Sequence, residues 1–98
     1  MAKNITKADI VDRVAGGTGL TKLETEAIIE GFLKTVIESL KEGNSIEIRG
    51  FGSYKVKKKK ARQARNPKTG EQVFVPEHHV PTFKFSKDFK DIVNRGLK

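Results

Sequence analysis

Apolar positions recur at helical spacing through the first part of the chain and alternate with polar ones afterwards. Thr6 can cap a first helix, with Asp9 three residues on as a weaker relative of the capping box. Ile10, Val11, Val14 and Ala15 follow on one face, and Gly16-Gly17-Thr18-Gly19 predicts the stop. Thr21 and Glu24 make a full capping box for a second helix. Its stripe runs through Ala27, Ile28, Phe32, Val36, Ile37 and Leu40, with Leu33 widening it, and Lys41-Glu42-Gly43-Asn44 ends it. Two helices joined by a short Gly-containing turn predict a helical hairpin.

The period then changes. Ile46 and Ile48 alternate with Ser45, Glu47 and Arg49, the pattern of a half-buried strand. Gly50-Phe51-Gly52 predicts a tight connection around a buried aromatic. Tyr54 and Val56 open the next strand, which runs on into a basic segment. Val73 and Val75 alternate with Gln72 and Phe74, and Pro76, with no ladder donor, breaks or bends the pairing. Val80, Phe83 and Phe85 return the chain to the body. Ser86 caps a short last helix with Phe89, Ile92 and Val93 inward and Gly96 at its end. The predicted order is α, α, β, β, β, α. This is an α+β fold: a helical hairpin, a three-stranded antiparallel sheet with a long β-hairpin arm, and a short C-terminal helix. One domain is expected over residues 1–98, with a helical body over 1–44, sheet and arm over 45–85, and the last helix over 86–96.

Composition narrows the picture. Of 98 residues only 36% are hydrophobic. If the arm adds little to the core, roughly 75 residues must build one, which favours a core shared by two chains. There is no Cys, hence no disulfide framework and no thiolate metal site. No apolar run is long enough to span a membrane. Met1-Ala2-Lys3-Asn4 lacks a secretory signal's apolar stretch, so a cytoplasmic location is expected. Residues 1–54 carry seven basic and eight acidic side chains, a net of −1, whereas residues 55–98 carry thirteen and four, a net of +9. The first half therefore reads as a solvated scaffold and the second as an electrostatic footprint.

That footprint centres on Lys55 to Gly70, which holds eight basic residues and no acidic one. Its only apolar side chains, Val56, Ala61 and Ala64, cannot build a core-facing stripe. Strand-like runs flank it, and Asn66-Pro67-Lys68-Thr69-Gly70 would reverse the chain. A basic hairpin arm fits, with a polyanion, first of all nucleic acid, as its partner. Fully extended, Lys55 to Asn66 would span about 40 Å at roughly 3.3 Å per residue. On strand geometry Lys55, Lys57 and Lys59 point one way, and Val56, Lys58 and Lys60 the other. Lysines suit phosphates. Arg62 and Arg65, planar and weakly hydrated, suit a narrow groove. Pro67 at the tip offers a rigid ring that can wedge between bases. Each feature has a plainer reading: a lysine run as a solvated face or flexible tail, Pro67 as turn chemistry, the arginines as ion-pair partners. Their conjunction in one hairpin favours binding.

Gly50-Phe51-Gly52-Ser53-Tyr54, Lys59, Arg62 and Arg65-Asn66-Pro67-Lys68-Thr69-Gly70 together resemble the signature of the bacterial histone-like HU and integration host factor family. The resemblance extends from Thr6–Leu40 as the helical hairpin, through Val80-Pro81-Thr82-Phe83 as the return strand, to Lys87–Val93 as the last helix. Two positions depart. Tyr54 stands where the family usually has Phe or an aliphatic residue, and Ala64 where Gly is frequent. The resemblance implies an intertwined dimer, either a homodimer or a heterodimer with a paralogue. Its two arms would embrace double-stranded DNA and insert their tip prolines into the minor groove, bending and compacting the nucleoid with little sequence specificity. The implied contacts are Lys55, Lys57, Lys58, Lys59, Lys60, Arg62, Arg65, Asn66, Pro67, Lys68 and Thr69 on the arm. Lys87, Lys90, Lys3 and Lys7 would touch phosphates from the body. Phe32, Phe51 and Phe83 would be core or dimer residues.

Other residue groups point to no further chemistry. His78 and His79 are adjacent, so on a strand they face opposite sides and cannot easily grip one metal. Asp9 with Asp12, Glu24 with Glu26, and Asp88 with Asp91 read as helix surface charges without a catalytic constellation. Gly50-Phe51-Gly52 lacks a phosphate loop's longer pattern, and Gly16–Gly19 reads as a turn. No enzyme activity, cofactor or metal is expected. Site-specific DNA bending of the integration host factor kind, RNA binding and capture of an acidic protein stand as alternatives.

Overall fold

The computed structural model describes residues 2–98. The chain divides into two compact units, the first ending at Glu38 and the second spanning Ser39–Lys98.

The helical unit is built on capping chemistry. Helix α1 covers Lys7–Thr18. Thr6 and Asp9 form a full capping box: the Asp9 N–H donates to Thr6 Oγ1 at 3.3 Å and the Thr6 N–H to Asp9 Oδ2 at 3.0 Å. The helix runs through Gly16 and Gly17 and stops only at Gly19, whose φ of 79° is left-handed. Two glycines weaken a helix without ending it, because each costs only about 1 kcal/mol relative to Ala. The Thr18 hydroxyl donates back to the Val14 carbonyl at 2.7 Å in the last turn. Helix α2 spans Lys22–Lys41 and opens on the Thr21–Glu24 box, with bonds of 3.0 and 3.1 Å. It closes in a Schellman motif: Gly43 at φ 87° donates to the Leu40 carbonyl, and Asn44 donates to Ser39, both at 3.0 Å.

In the second unit, strands β1 (Ile46–Ile48), β2 (Gly52–Lys59) and β5 (His78–Phe85) form an antiparallel sheet in the order β1-β2-β5. Strands β3 (Arg62–Arg65) and β4 (Gln72–Val75) form a separate two-stranded ladder. The arm is thus not one continuous pair of strands. It is interrupted at Lys60–Ala61 on one side and Pro76–Glu77 on the other, so the uninterrupted 40 Å strand expected from Lys55 to Asn66 is not formed. Pro76 supplies the reason, since it cannot donate to the ladder. Helix α3 covers Lys87–Leu97, capped by Ser86 Oγ, which accepts the Phe89 N–H at 3.1 Å; it passes through Gly96 instead of ending there.

An aromatic cluster organises the sheet. Phe83 lies 4.6 Å from Tyr54, 4.8 Å from Phe85 and 5.6 Å from Phe51 between ring centroids. Phe89 brings α3 onto it, 4.6 Å from Phe85 and 5.1 Å from Phe51. Phe51 was expected to be buried but is 40% exposed, because it sits on the β1–β2 turn. That turn has Gly50 at φ 80° and a Phe51 N–H to Ile48 carbonyl bond of 3.0 Å, the pattern of a type II turn.

The single chain has almost no closed core. Among the described residues, the buried apolar side chains are Val11 and Ala15. The predicted stripe of α2 is largely exposed, including Ile28, Phe32 and Ile37, and so are Ile92 and Val93, which were expected to face inward.

Candidate nucleic-acid interface

The sheet register sorts the basic side chains onto faces. Lys55 pairs with Thr82, Lys57 with Val80, Lys59 with His78, and Ser53 with Lys84. Directly paired residues share a face, so Lys84, Lys55, Lys57 and Lys59 form one row. The opposite face carries Tyr54 with Phe83 and Val56 with Pro81, then Lys58 with His79. The expected alternation of Lys55, Lys57 and Lys59 against Val56 and Lys58 holds within β2, whereas Lys60, expected on the second face, lies beyond the strand's end. Lys84 was not anticipated. Its membership in the row follows only from the pairing of residues distant in sequence.

Not every lysine is equally available. Lys58 Nζ is bound to Glu77 at 2.7 Å and Lys7 Nζ to Glu30 at 2.8 Å. The hydrogen bond and charge of Glu30 raise the Lys7 pKa above its ordinary value. Arg62 and Arg65, weighed as ion-pair partners, have no acidic side chain within 4.0 Å among the described residues. In the β3–β4 ladder Arg62 pairs with Val75 and Arg65 with Gln72. The two arginines therefore lie on opposite faces of that ladder.

The tip is a self-bonded turn. Asn66 donates its N–H to the Glu71 carbonyl at 2.8 Å and accepts the Gly70 N–H at 2.7 Å. Asn66 Oδ1 accepts the Lys68 N–H at 2.9 Å, and Thr69 Oγ1 accepts the Glu71 N–H at 3.3 Å. Gly70, at φ 76°, supplies the left-handed residue that the reversal needs. These bonds leave Pro67, Lys68 and Thr69 exposed, with Asn66 half-buried beneath them. The side-chain oxygens of Asn66 and Thr69 serve the turn, while the Asn66 amide NH2 and the Thr69 O–H can still donate outward.

At the other end of the sheet, an open cleft of about 510 Å³ is lined by Arg49, Lys84, Lys87 and Lys90, with Glu47 and Asp91. It gathers two of the body lysines named from sequence next to the root of the lysine row. Lys3 and Lys7 belong to the helical unit.

Comparison with known proteins fits this arrangement of helical hairpin, sheet and basic two-stranded tip. The sequence profile of the bacterial DNA-binding protein family matches residues 5–94. The chain belongs to the HU and integration host factor family. DNA-binding protein HU of Thermus thermophilus is 41% identical over 93 residues, covering 95% of this chain and 96% of that protein. Integration host factor subunit beta of Neisseria meningitidis is 42% identical over 100 residues, covering 96% of each. A cocrystal structure of Anabaena HU with DNA superposes with a TM-score of 0.84 at 38% identity, covering 90% of this chain and 96% of that one.

Both departures from the usual HU-family pattern are accommodated. Tyr54 keeps the aromatic contact with Phe83, and Ala64 is half-buried opposite Val73.

Proposed function

We propose that this HU-family chain is an architectural DNA-binding protein that bends and compacts bacterial chromosomal DNA with little sequence preference. The observation that carries the reading is the arm tip. Pro67 is exposed on a closed turn, and the ladder beneath it holds two arginines with no acidic partner among the described residues. Lysines of the β2–β5 row neutralise phosphates and release counterions. Arg62 and Arg65 enter the minor groove, and the Pro67 ring wedges a base step open. Lys87 and Lys90 hold the flanking backbone from the body. The DNA in the Anabaena HU cocrystal supports this partner.

The working form is a dimer with a second copy or a paralogue. Its support is the exposed apolar stripe of α2, since a single chain buries too little to be stable alone. A nucleoid location in the cytoplasm follows from the partner, and no helix among the described residues is long and apolar enough to cross a membrane. The similarity to integration host factor subunit beta supports a second reading, bending at preferred sites through DNA shape. Binding-site selection separates the two: a sharp consensus favours the second.

The test combines affinity and bending. Affinity for a random duplex should fall about tenfold or more between 50 and 200 mM salt, as several phosphate contacts require. Pro67→Ala should retain most of the affinity and lose bend angle in an energy-transfer assay. A flat salt titration refutes phosphate binding, and an unchanged bend refutes the wedge.

A further inference from the structure

Phe74 is 61% exposed on β4, and it belongs to none of the ring contacts that organise the other sheet aromatics. Its register partner is Gln63, and Arg65 with Gln72 is the next pair on the same face. The opposite face of the ladder carries Arg62, Ala64, Val73 and Val75. Phe74 therefore stands on a ribbon with no core beneath it, diagonal to an arginine and close to the tip. A single exposed ring is ordinary on a protein surface, but a ligand that covers this one gains the transfer free energy of its apolar area. The ladder carries Arg62 and Arg65 and is flanked by Lys59, Lys60 and Lys68 against Glu71 and Glu77, the latter already bound to Lys58. The balance is positive, so charge complementarity makes a polyanion the occupant.

We propose that Phe74 packs against deoxyribose in the minor groove and makes the arm discriminate DNA from RNA. This rests on the DNA-binding reading above and deepens it. The phosphates that attract the lysines are the same in both polymers, so charge alone cannot choose between them. The sugars differ by one hydroxyl, and the RNA minor groove displays it. Against deoxyribose the ring meets C–H groups and buries apolar surface. Against ribose it covers a 2′-hydroxyl and offers no acceptor or donor in return, which leaves a polar group desolvated and unpaired.

The test measures affinity of the full-length protein for a DNA duplex and an RNA duplex of the same sequence. Phe74→Thr should lower the DNA-to-RNA affinity ratio about tenfold, the effect of one unpaired buried hydroxyl. Phe74→Leu keeps the apolar surface and should hold the ratio within about twofold of wild type. The slope against salt should not change in either variant, since no charge is removed. An equal loss on both duplexes, or an unchanged ratio in Phe74→Thr, overturns the assignment while leaving DNA binding itself intact. A wild-type protein that binds neither duplex would overturn both readings together.

Discussion

Gly52 is the point at which the sheet tolerates no side chain. It pairs with Ile48 of β1 and with Phe85 of β5, and it is buried. A Cβ there would run into the Lys84 carbonyl oxygen and the Phe83 ring, whose Cε1 would lie at 3.0 Å. The ring could rotate only by disturbing its contacts with Tyr54, Phe85 and Phe51. The carbonyl belongs to a paired strand and cannot move without opening the ladder. Overpacking of this kind costs about 1–3 kcal/mol, and a disturbed aromatic pair adds about 0.5–1.5 kcal/mol. Where a Cβ fits, Gly→Ala instead stabilises by about 0.4–1 kcal/mol through the unfolded chain. The net expectation for Gly52→Ala is a loss of about 2 kcal/mol, or a melting temperature lower by about 8–16 °C for a chain of this length. Gly17 is the control: it lies inside α1 with open space where a Cβ would go, so Gly17→Ala should raise the melting temperature by a few degrees. Thermal unfolding followed by circular dichroism at matched protein concentration compares the two, because the melting point of a dimer depends on concentration. A Gly52→Ala protein melting within about 2 °C of wild type would refute the packing argument.

Two further predictions concern charge. Lys57→Ala should lower the slope of log affinity against log salt by about one unit, the share of one phosphate on duplex DNA. Lys58→Ala should lower it less, because Glu77 at 2.7 Å already serves as its counter-ion; a larger effect at Lys58 than at Lys57 would contradict the pairing. For acid stability, hydrogen bonds from the Thr6 backbone and side chain hold the Asp9 pKa below its ordinary value, and those of Thr21 do the same for Glu24. A lowered folded pKa contributes stability that is complete above the unfolded value, near pH 4, and is lost as pH falls through the folded one. Helical ellipticity should therefore hold from pH 7 to about 5 and decline below about pH 4. In Asp9→Asn with Glu24→Gln that acid-dependent decline should be smaller, and an identical acid profile would refute the capping contribution.

What could be read from the residues alone was whatever depends on neighbours close in the chain. The boxes Thr6–Asp9 and Thr21–Glu24, the Gly43 stop and the Asn66–Gly70 turn all rest on hydrogen bonds between residues at most five apart, so spacing specifies them. The concentration of positive charge on the arm is likewise a property of composition. Tertiary structure decided which charges act together. Lys84 joins Lys55, Lys57 and Lys59, and Glu77 removes Lys58 from the free set, only through the β2–β5 register, which links residues such as Lys55 and Thr82 across a long stretch of chain. It also left Phe51, expected to be buried, 40% exposed on its turn, while Phe74, which alternates with Val73 and Val75 in the sequence, stands uncovered on its ribbon. The physical reason is that a one-residue slip in pairing would exchange the faces of a whole strand, so exposure is set by the sum of cross-strand contacts and not by any residue's own hydrophobicity.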